Sequence, residues 1–358
     1  AEEVSNVGAS RRLANRSRAF ASAVSMHLAA GAKRRLRARF DRITTTNVVA
    51  WKPDLVHAHD ANTLRVALNL NQQHGVPFVY DAHELWEERD SLVRGTREES
   101  DDRKLLDDAT AVAAGIVTVS PSVASWMTDR YDLSVSPTLV RNVPPASGLP
   151  DRGRGRLRAL AGLKGDESVV VYVGILGPNR GLGETVNALP LLEDNVHLVL
   201  LGYSEDAYDE TLADLAQSIG VGARLHFVGS VAPNDVSQTI ADADVSLVII
   251  QATYLNDEFC LPNKLFESIR GGLPVLASNL PDIAELVNHY GVGRMIESSS
   301  PAEIAAAARA LVDQPQSFRD ACVTASRELT WEIEVSRLFA LYDQILSGSQ
   351  TTKVSTDH

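Results

Sequence analysis

Only two cysteines, Cys260 and Cys322, occur in 358 residues. They provide no disulfide framework and suit a reducing compartment. No apolar run approaches the roughly 18–20 residues that a membrane-spanning helix needs. The N-terminus is polar and shows no signal-peptide pattern, so a cytoplasmic setting is expected. The chain starts at Ala1 rather than Met, which reads as a processed, cut or incompletely represented chain. Surplus positive charge is also missing: the net charge is −12, which argues against nucleic acid as the main partner. The acidity is uneven, because residues 1–50 hold ten Lys/Arg against three Asp/Glu. Basic residues within 11–42 leave peripheral contact with the inner face of a membrane open, beside the plainer reading of a solvated helix face.

What is present is a globular composition, 44% hydrophobic and 22% charged, in a chain long enough for two domains with full cores. The spacing predicts helix within 1–47, most clearly from Ala19 to Phe40. Strands follow at 55–60, 78–81, 115–119 and 138–140, with helices between them. Asn142 to Gly155 is rich in Pro and Gly and reads as a linker. A second alternation begins with strands at 168–173, 197–201, 225–228 and 245–250 and ends in a helix from Trp331 to Leu346. Such alternation means parallel sheets covered on both faces, an α/β fold of two Rossmann-like domains facing across a cleft. The expected division is 1–150, with helix 331–346 packing back on it, then 151–330, then a disordered polar tail at 347–358.

The most informative stretch runs from Asp257 to Ser278. Pro262 suits a helix start, Gly271-Gly272 a helix end, and Val275-Leu276-Ala277 a short buried strand. The first free N–H groups of that helix and its dipole make an anion site, and Lys264 adds a full positive charge. Glu267, about one turn on, offers a carboxylate to paired sugar hydroxyls. The plainer reading is a surface helix carrying a Lys–Glu pair. Gly174 to Gly183, after the first strand of the second half, brings glycine backbone and Arg180 to a strand end. It is not a dinucleotide fingerprint, because Val186 stands where the third small residue belongs.

Taken in order, Asp54-Leu55-Val56-His57-Ala58-His59-Asp60, Asp81-Ala82-His83-Glu84-Leu85, Val140-Arg141-Asn142, Gly174…Arg180-Gly181-Leu182, Leu261-Pro262-Asn263-Lys264-Leu265-Phe266-Glu267, Gly272-Leu273-Pro274-Val275, Leu280-Pro281-Asp282-Ile283 and Trp331-Glu332 resemble family 4 of the retaining glycosyltransferases, the group 1 enzymes of GT-B fold. The resemblance runs from about Pro53 to Leu346. It implies a nucleotide-diphosphate sugar donor, UDP-sugar favoured over GDP-mannose, held mainly by the second domain. Arg180 and Lys264 would neutralise the leaving diphosphate, and Glu267 would hold the ribose. Gly174, Gly177, Asn263 and the backbone at Phe259, Cys260 and Leu261 would line the donor site. His59 and His83 would line the cleft from the first domain, each with the alternative of a histidine merely hydrogen-bonded at a strand end. His57 is expected to alternate to the other side of its strand and to be structural. No metal and no cofactor beyond the donor are expected, and the acceptor is a sugar, a lipid-linked group or a small molecule.

The sequence departs from that family at three places. Phe259 occupies the earlier of two acidic positions usual around the Lys264 helix, and Ile175 stands where many members place a phosphate-binding Arg. Residues 1–50 contain no hydrophobic strand, so the first domain is expected to lack its N-terminal βα unit. A donor-binding module that is inactive or depends on a partner is therefore the alternative function.

Overall fold

The computed structural model describes residues 31–32, 35–89, 94–146, 150–204 and 206–354. The helix expected from Ala19 lies largely outside them, as does most of the basic segment 11–42. Residues 35–50 are helical, and within them Arg37 reaches Asp102 across 3.5 Å, so that cation is engaged internally.

Two parallel sheets organise the rest. The first is four-stranded, in the order β1 (Val56–His59), β2 (Phe78–Ala82), β3 (Gly115–Thr118) and β4 (Thr138–Leu139). The second is six-stranded: β5 (Ser168–Val173), β6 (Val196–Leu201), β7 (Leu225–Gly229), β8 (Val245–Val248), β9 (Val275–Ser278) and β10 (Gly293–Ile296) lie side by side as β10-β9-β8-β5-β6-β7. That is the doubly wound Rossmann order, which reverses between β5 and β8. The first sheet has only the equivalent of one half of it. Among the described residues β1 is an edge strand and no strand precedes it.

The strands are continuously apolar because helices cover both faces. In β5 the run Val169-Val170-Val171-Tyr172 is buried throughout. Val170 and Tyr172 face one cluster with Leu198, Leu200 and Leu247, while Val169 and Val171 face another with Val199 and Leu273. Helices begin and end on local signals: Ser120 caps Pro121–Arg130 by accepting from the Val123 amide, and Gly75 closes Asp60–His74 in a left-handed conformation.

Several elements differ from expectation. The helix from Trp331 runs on to Val354, past the expected end at Leu346; no proline interrupts residues 347–354 to stop it. Strand β10 and a helix at Pro315–Glu328 went unread, the first because Gly293-Arg294-Met295-Ile296 is too short to show a period. The closing helix lies on the first sheet, where Leu338, Leu341, Tyr342 and Ile345 pack with Val79, Val117 and Val140.

Candidate functional site

In a doubly wound sheet the loops on either side of the reversal diverge and leave a crevice at the strands' carboxyl ends. Here they are 174–181 after β5 and 249–262 after β8. The Gln251 amide donates to the Asn179 carbonyl at 3.0 Å and ties one loop to the other. Gly181 has φ +64°, and a Cβ there would overlap the Ile249 side chain, so this close crossing requires glycine. Arg180, next to it, is exposed at the crevice.

The helix Asn263–Arg270 starts at Pro262 without a side-chain cap. Its leading N–H groups therefore remain available at the positive end of the dipole. Leu265, Phe266 and Ile269 are buried in the core and fix its orientation. Lys264 is only 9% exposed, and its Nζ has no hydrogen-bond partner. It lies 4.1 Å from the centre of the Tyr172 ring, a cation–π contact from β5. Burial, followed by the positive charge of Arg180, lowers the ammonium to about 7. A buried cation without a partner is costly, and a group of opposite charge would relieve it.

Glu267 faces the opposite neighbour. Its Oε2 accepts from the Ser237 hydroxyl, and burial raises its carboxyl above the ordinary range. The Ser237 backbone also bonds it and counters that rise, and the acceptor capacity left on the carboxylate suits a sugar hydroxyl. Ser237 was not singled out in the sequence; it is a lone serine 30 positions away, with no motif to mark it.

The loop before the helix serves a different purpose at each residue. The Phe259 amide is already used, donating to the Leu255 carbonyl at 3.1 Å. Its side chain packs on the apolar cluster of the first sheet, and its carbonyl accepts from Ser120 Oγ at 2.7 Å. Phe259 thus bridges the two halves, in place of the acidic residue that the resemblance would put there. Burial pushes the Cys260 thiol up to about 12, which removes a thiolate from consideration. Leu261 is buried in the core beside Leu265, and Asn263 is exposed at the helix start. Gly174 holds a positive φ of 129°, while the Tyr172 hydroxyl donates to the Ile175 carbonyl at 2.9 Å and braces the turn that leads to Gly177.

Other cross-links close the cleft. The Leu85 amide donates to Asn256 Oδ1 at 2.8 Å, and Ser122 Oγ donates to Asp282 Oδ1 at 2.9 Å. The first of these sets the loop after β2 beside segment 255–259. His59, the last residue of β1, and His83, the first after β2, meet there, nitrogen to nitrogen at 3.0 Å. Burial lowers the His59 imidazole against the pull of Asp81; the hydrogen bond that His83 donates to Asp81 raises His83. His57 does not turn away as expected. Residues i and i+2 of a strand share a face, and its ring lies 4.5 Å from that of His59. Asp60, directly after His59, adopts a left-handed φ of 54°, and its Oδ1 accepts from the His83 amide at 3.1 Å.

The comparisons with known proteins agree with this architecture. A family model described as "Glycosyl transferases group 1" matches residues 154–329, and one described as "Glycosyltransferase Family 4" matches 8–146. A D-inositol 3-phosphate glycosyltransferase of Corynebacterium glutamicum (strain R) is 23% identical over 321 residues, which is 82% of this chain and 73% of that protein. A glycogen synthase of Mycobacterium tuberculosis (strain CDC 1551 / Oshkosh) is 26% identical over 297 residues, 80% of this chain and 66% of that one. Among solved structures, Anabaena Alr3699/HepE in complex with UDP superposes with a TM-score of 0.66 at 19% identity, covering 88% of this chain and 82% of its own. A sucrose-phosphate synthase from Thermosynechococcus elongatus gives 0.70 at 19% identity, covering 87% and 78%. These likenesses identify the fold as GT-B. With one model matched in each half, the chain belongs to the group 1 glycosyltransferases.

Proposed function

We propose that the chain transfers a sugar from a nucleotide-diphosphate donor to an acceptor hydroxyl with retention of anomeric configuration. One observation carries this reading: the buried, unpartnered ammonium of Lys264 at an uncapped helix start, beside Arg180. In transfer, the bond from the anomeric carbon to the β-phosphate oxygen breaks and negative charge gathers on the departing diphosphate. Fixed cations and amides aimed there lower the barrier. The acceptor oxygen bonds to the anomeric carbon from the same face, and its proton passes to the leaving phosphate. Glu267 holds the ribose hydroxyls, with Ser237 fixing one of its oxygens. His59 and His83 face the sugar from the first domain. Lys264, Arg180 and the helix amides supply the positive charge at the diphosphate, so the reading needs no metal there. Uridine is the preferred base, supported by the Anabaena structures solved with UDP and with UDP-glucose.

An inactive or partner-dependent donor-binding module is the second reading, favoured by the edge position of β1 in a first sheet that has four strands among the described residues. Incubating the isolated chain with UDP-hexoses and GDP-hexoses, and following nucleotide diphosphate release, separates the two. Turnover with a product of unchanged anomeric configuration is expected. Binding without any turnover would favour the module.

The depressed Lys264 value also sets a proton linkage. The folded free protein is half-deprotonated near pH 7, whereas an ordinary lysine holds its proton to about 10.5. A bound diphosphate favours the charged form, so the complex holds more protons than its components above pH 7. UDP affinity is expected to fall as pH rises from there. Calorimetry in buffers of different ionisation enthalpy should show net proton uptake at mildly alkaline pH. Zero uptake would contradict the placement of Lys264 on the diphosphate.

A further inference from the structure

The carboxyl ends of β1 and β2 gather three imidazoles around one carboxylate oxygen. Asp81 Oδ2 lies 2.9 Å from His57 Nε2, 3.2 Å from His59 Nδ1 and 3.4 Å from His83 Nε2. We propose that His57, His59 and Asp81 bind one divalent transition-metal ion of the Zn2+ type on the first domain's side of the cleft.

The spacing fits three corners of a tetrahedron. Zinc bonds of about 2.0–2.2 Å to imidazole nitrogen and carboxylate oxygen give ligand-to-ligand edges of about 3.3–3.6 Å. The separations of His57 Nε2 and His59 Nδ1 from Asp81 Oδ2 lie near that range, slightly contracted. The ligand atoms of His57, His59 and Asp81 all fall within 4.8 Å of one another. Two neutral nitrogens and one carboxylate are borderline donors, suited to Zn2+ over Mg2+ or Ca2+.

Hydrogen bonding alone serves this cluster poorly. For His59 Nδ1 and His83 Nε2 to bond each other, one must present a lone pair. That nitrogen then turns a lone pair, not a proton, toward the Asp81 carboxylate. A cation held by His57, His59 and Asp81 takes the His59 lone pair and leaves His83 Nε2–H to face the Asp81 carboxylate, which removes the conflict. The outer contacts already point the rings inward. Tyr342 Oη lies 2.7 Å from His57 Nδ1, and with His57 Nδ1–H donating to it, Nε2 is left free to ligate. The Asp60 carboxylate fixes the His83 backbone from the far side. Three protein donors hold the ion, water takes the fourth position, and Tyr342 behind His57 ties the ends of β1 and β2 to the closing helix.

The test uses the untagged full chain, stripped with chelator and titrated with Zn2+ against a chromophoric competitor near neutral pH. One equivalent per chain is expected, with an affinity of about micromolar or tighter. Co2+ loading should give the intense visible bands of a tetrahedral site. His59→Ala changes a side chain that is 60% exposed and should fold normally, yet it should weaken binding at least about tenfold, as should Asp81→Asn. His197→Ala, which removes the separate His197–His226 pair on the second sheet, should leave binding unchanged. Absence of a stoichiometric site, or wild-type affinity in His59→Ala, would overturn the proposal. Equal loss in His197→Ala would do the same.

Discussion

Lys264→Met is expected to abolish most sugar transfer while making the protein more stable. The methionine keeps the aliphatic volume beneath the Tyr172 ring and removes only the charge. Deleting one preorganised contact to a developing anion costs about 100–1000-fold in rate. Arg180→Ala should lose at least about tenfold, less than Lys264→Met because Arg180 is exposed and partly replaced by water. The stability change runs the other way. In the free protein the Lys264 ammonium is desolvated and has no hydrogen-bond partner, so a neutral side chain should add about 1 kcal/mol or more below pH 7. The sign follows from linkage. The folded-state value of about 7 is depressed, so the destabilising contribution grows as pH falls from the ordinary lysine value towards 7 and is full below it. Urea denaturation of both proteins at pH 6 and pH 10 checks this, with the gain expected to shrink at the higher pH. Near-wild-type turnover in both Lys264→Met and Arg180→Ala would remove the diphosphate from this site.

Glu334→Ala should be the most destabilising single change outside the strands. Glu334 is fully buried at the start of the closing helix. Its Oε1 accepts from Arg141 Nε at 2.9 Å and Nη2 at 2.5 Å, and its Oε2 accepts from the Arg141 amide at 3.0 Å and from Arg337 at 2.7 Å. Breaking a buried pair from one side typically costs about 3–5 kcal/mol, because the remaining cation and amide lose their partner. Partial exposure of the Arg141 side chain puts the expectation at the lower end. Glu334→Gln retains part of the hydrogen bonding and should cost less. The loss should also loosen the contact of Tyr342 with His57, since both residues depend on the same helix. A stability change within about 0.5 kcal/mol for Glu334→Ala would show that the helix is held by its apolar face alone.

Much of this architecture was legible because its signals are local. Proline, glycine and short apolar runs punctuate every strand from β5 to β9, and Pro262 with Gly271 bounds the Lys264 helix. The order of motifs was enough to identify the family. Partners that arrive from distant chain positions were not legible. Tyr172 reads as one more apolar residue of β5, and only the fold sets its ring under Lys264. Ser237 reaches Glu267, and Ser120 reaches Phe259, without any motif linking them. His57 was misassigned through a miscount of strand period, which hid the three-histidine cluster. Glu334 sits beside the matched Trp331-Glu332 pair, but nothing in its neighbours marks it as buried, because burial of a charge depends on the Arg141 that crosses from β4.

The central claim is that the second domain holds a nucleotide diphosphate on Lys264 and Arg180. Thermal unfolding of the purified chain with UDP, GDP, ADP or NAD, each at a large excess, tests it most directly. A ligand at 100 times its Kd adds about 2.7 kcal/mol to stability, which is readily seen. The account predicts a clear upward shift with UDP, a smaller one with GDP, none with NAD, and loss of the UDP shift in Lys264→Met. No shift with any nucleotide diphosphate, or an equal shift in the variant, would contradict it.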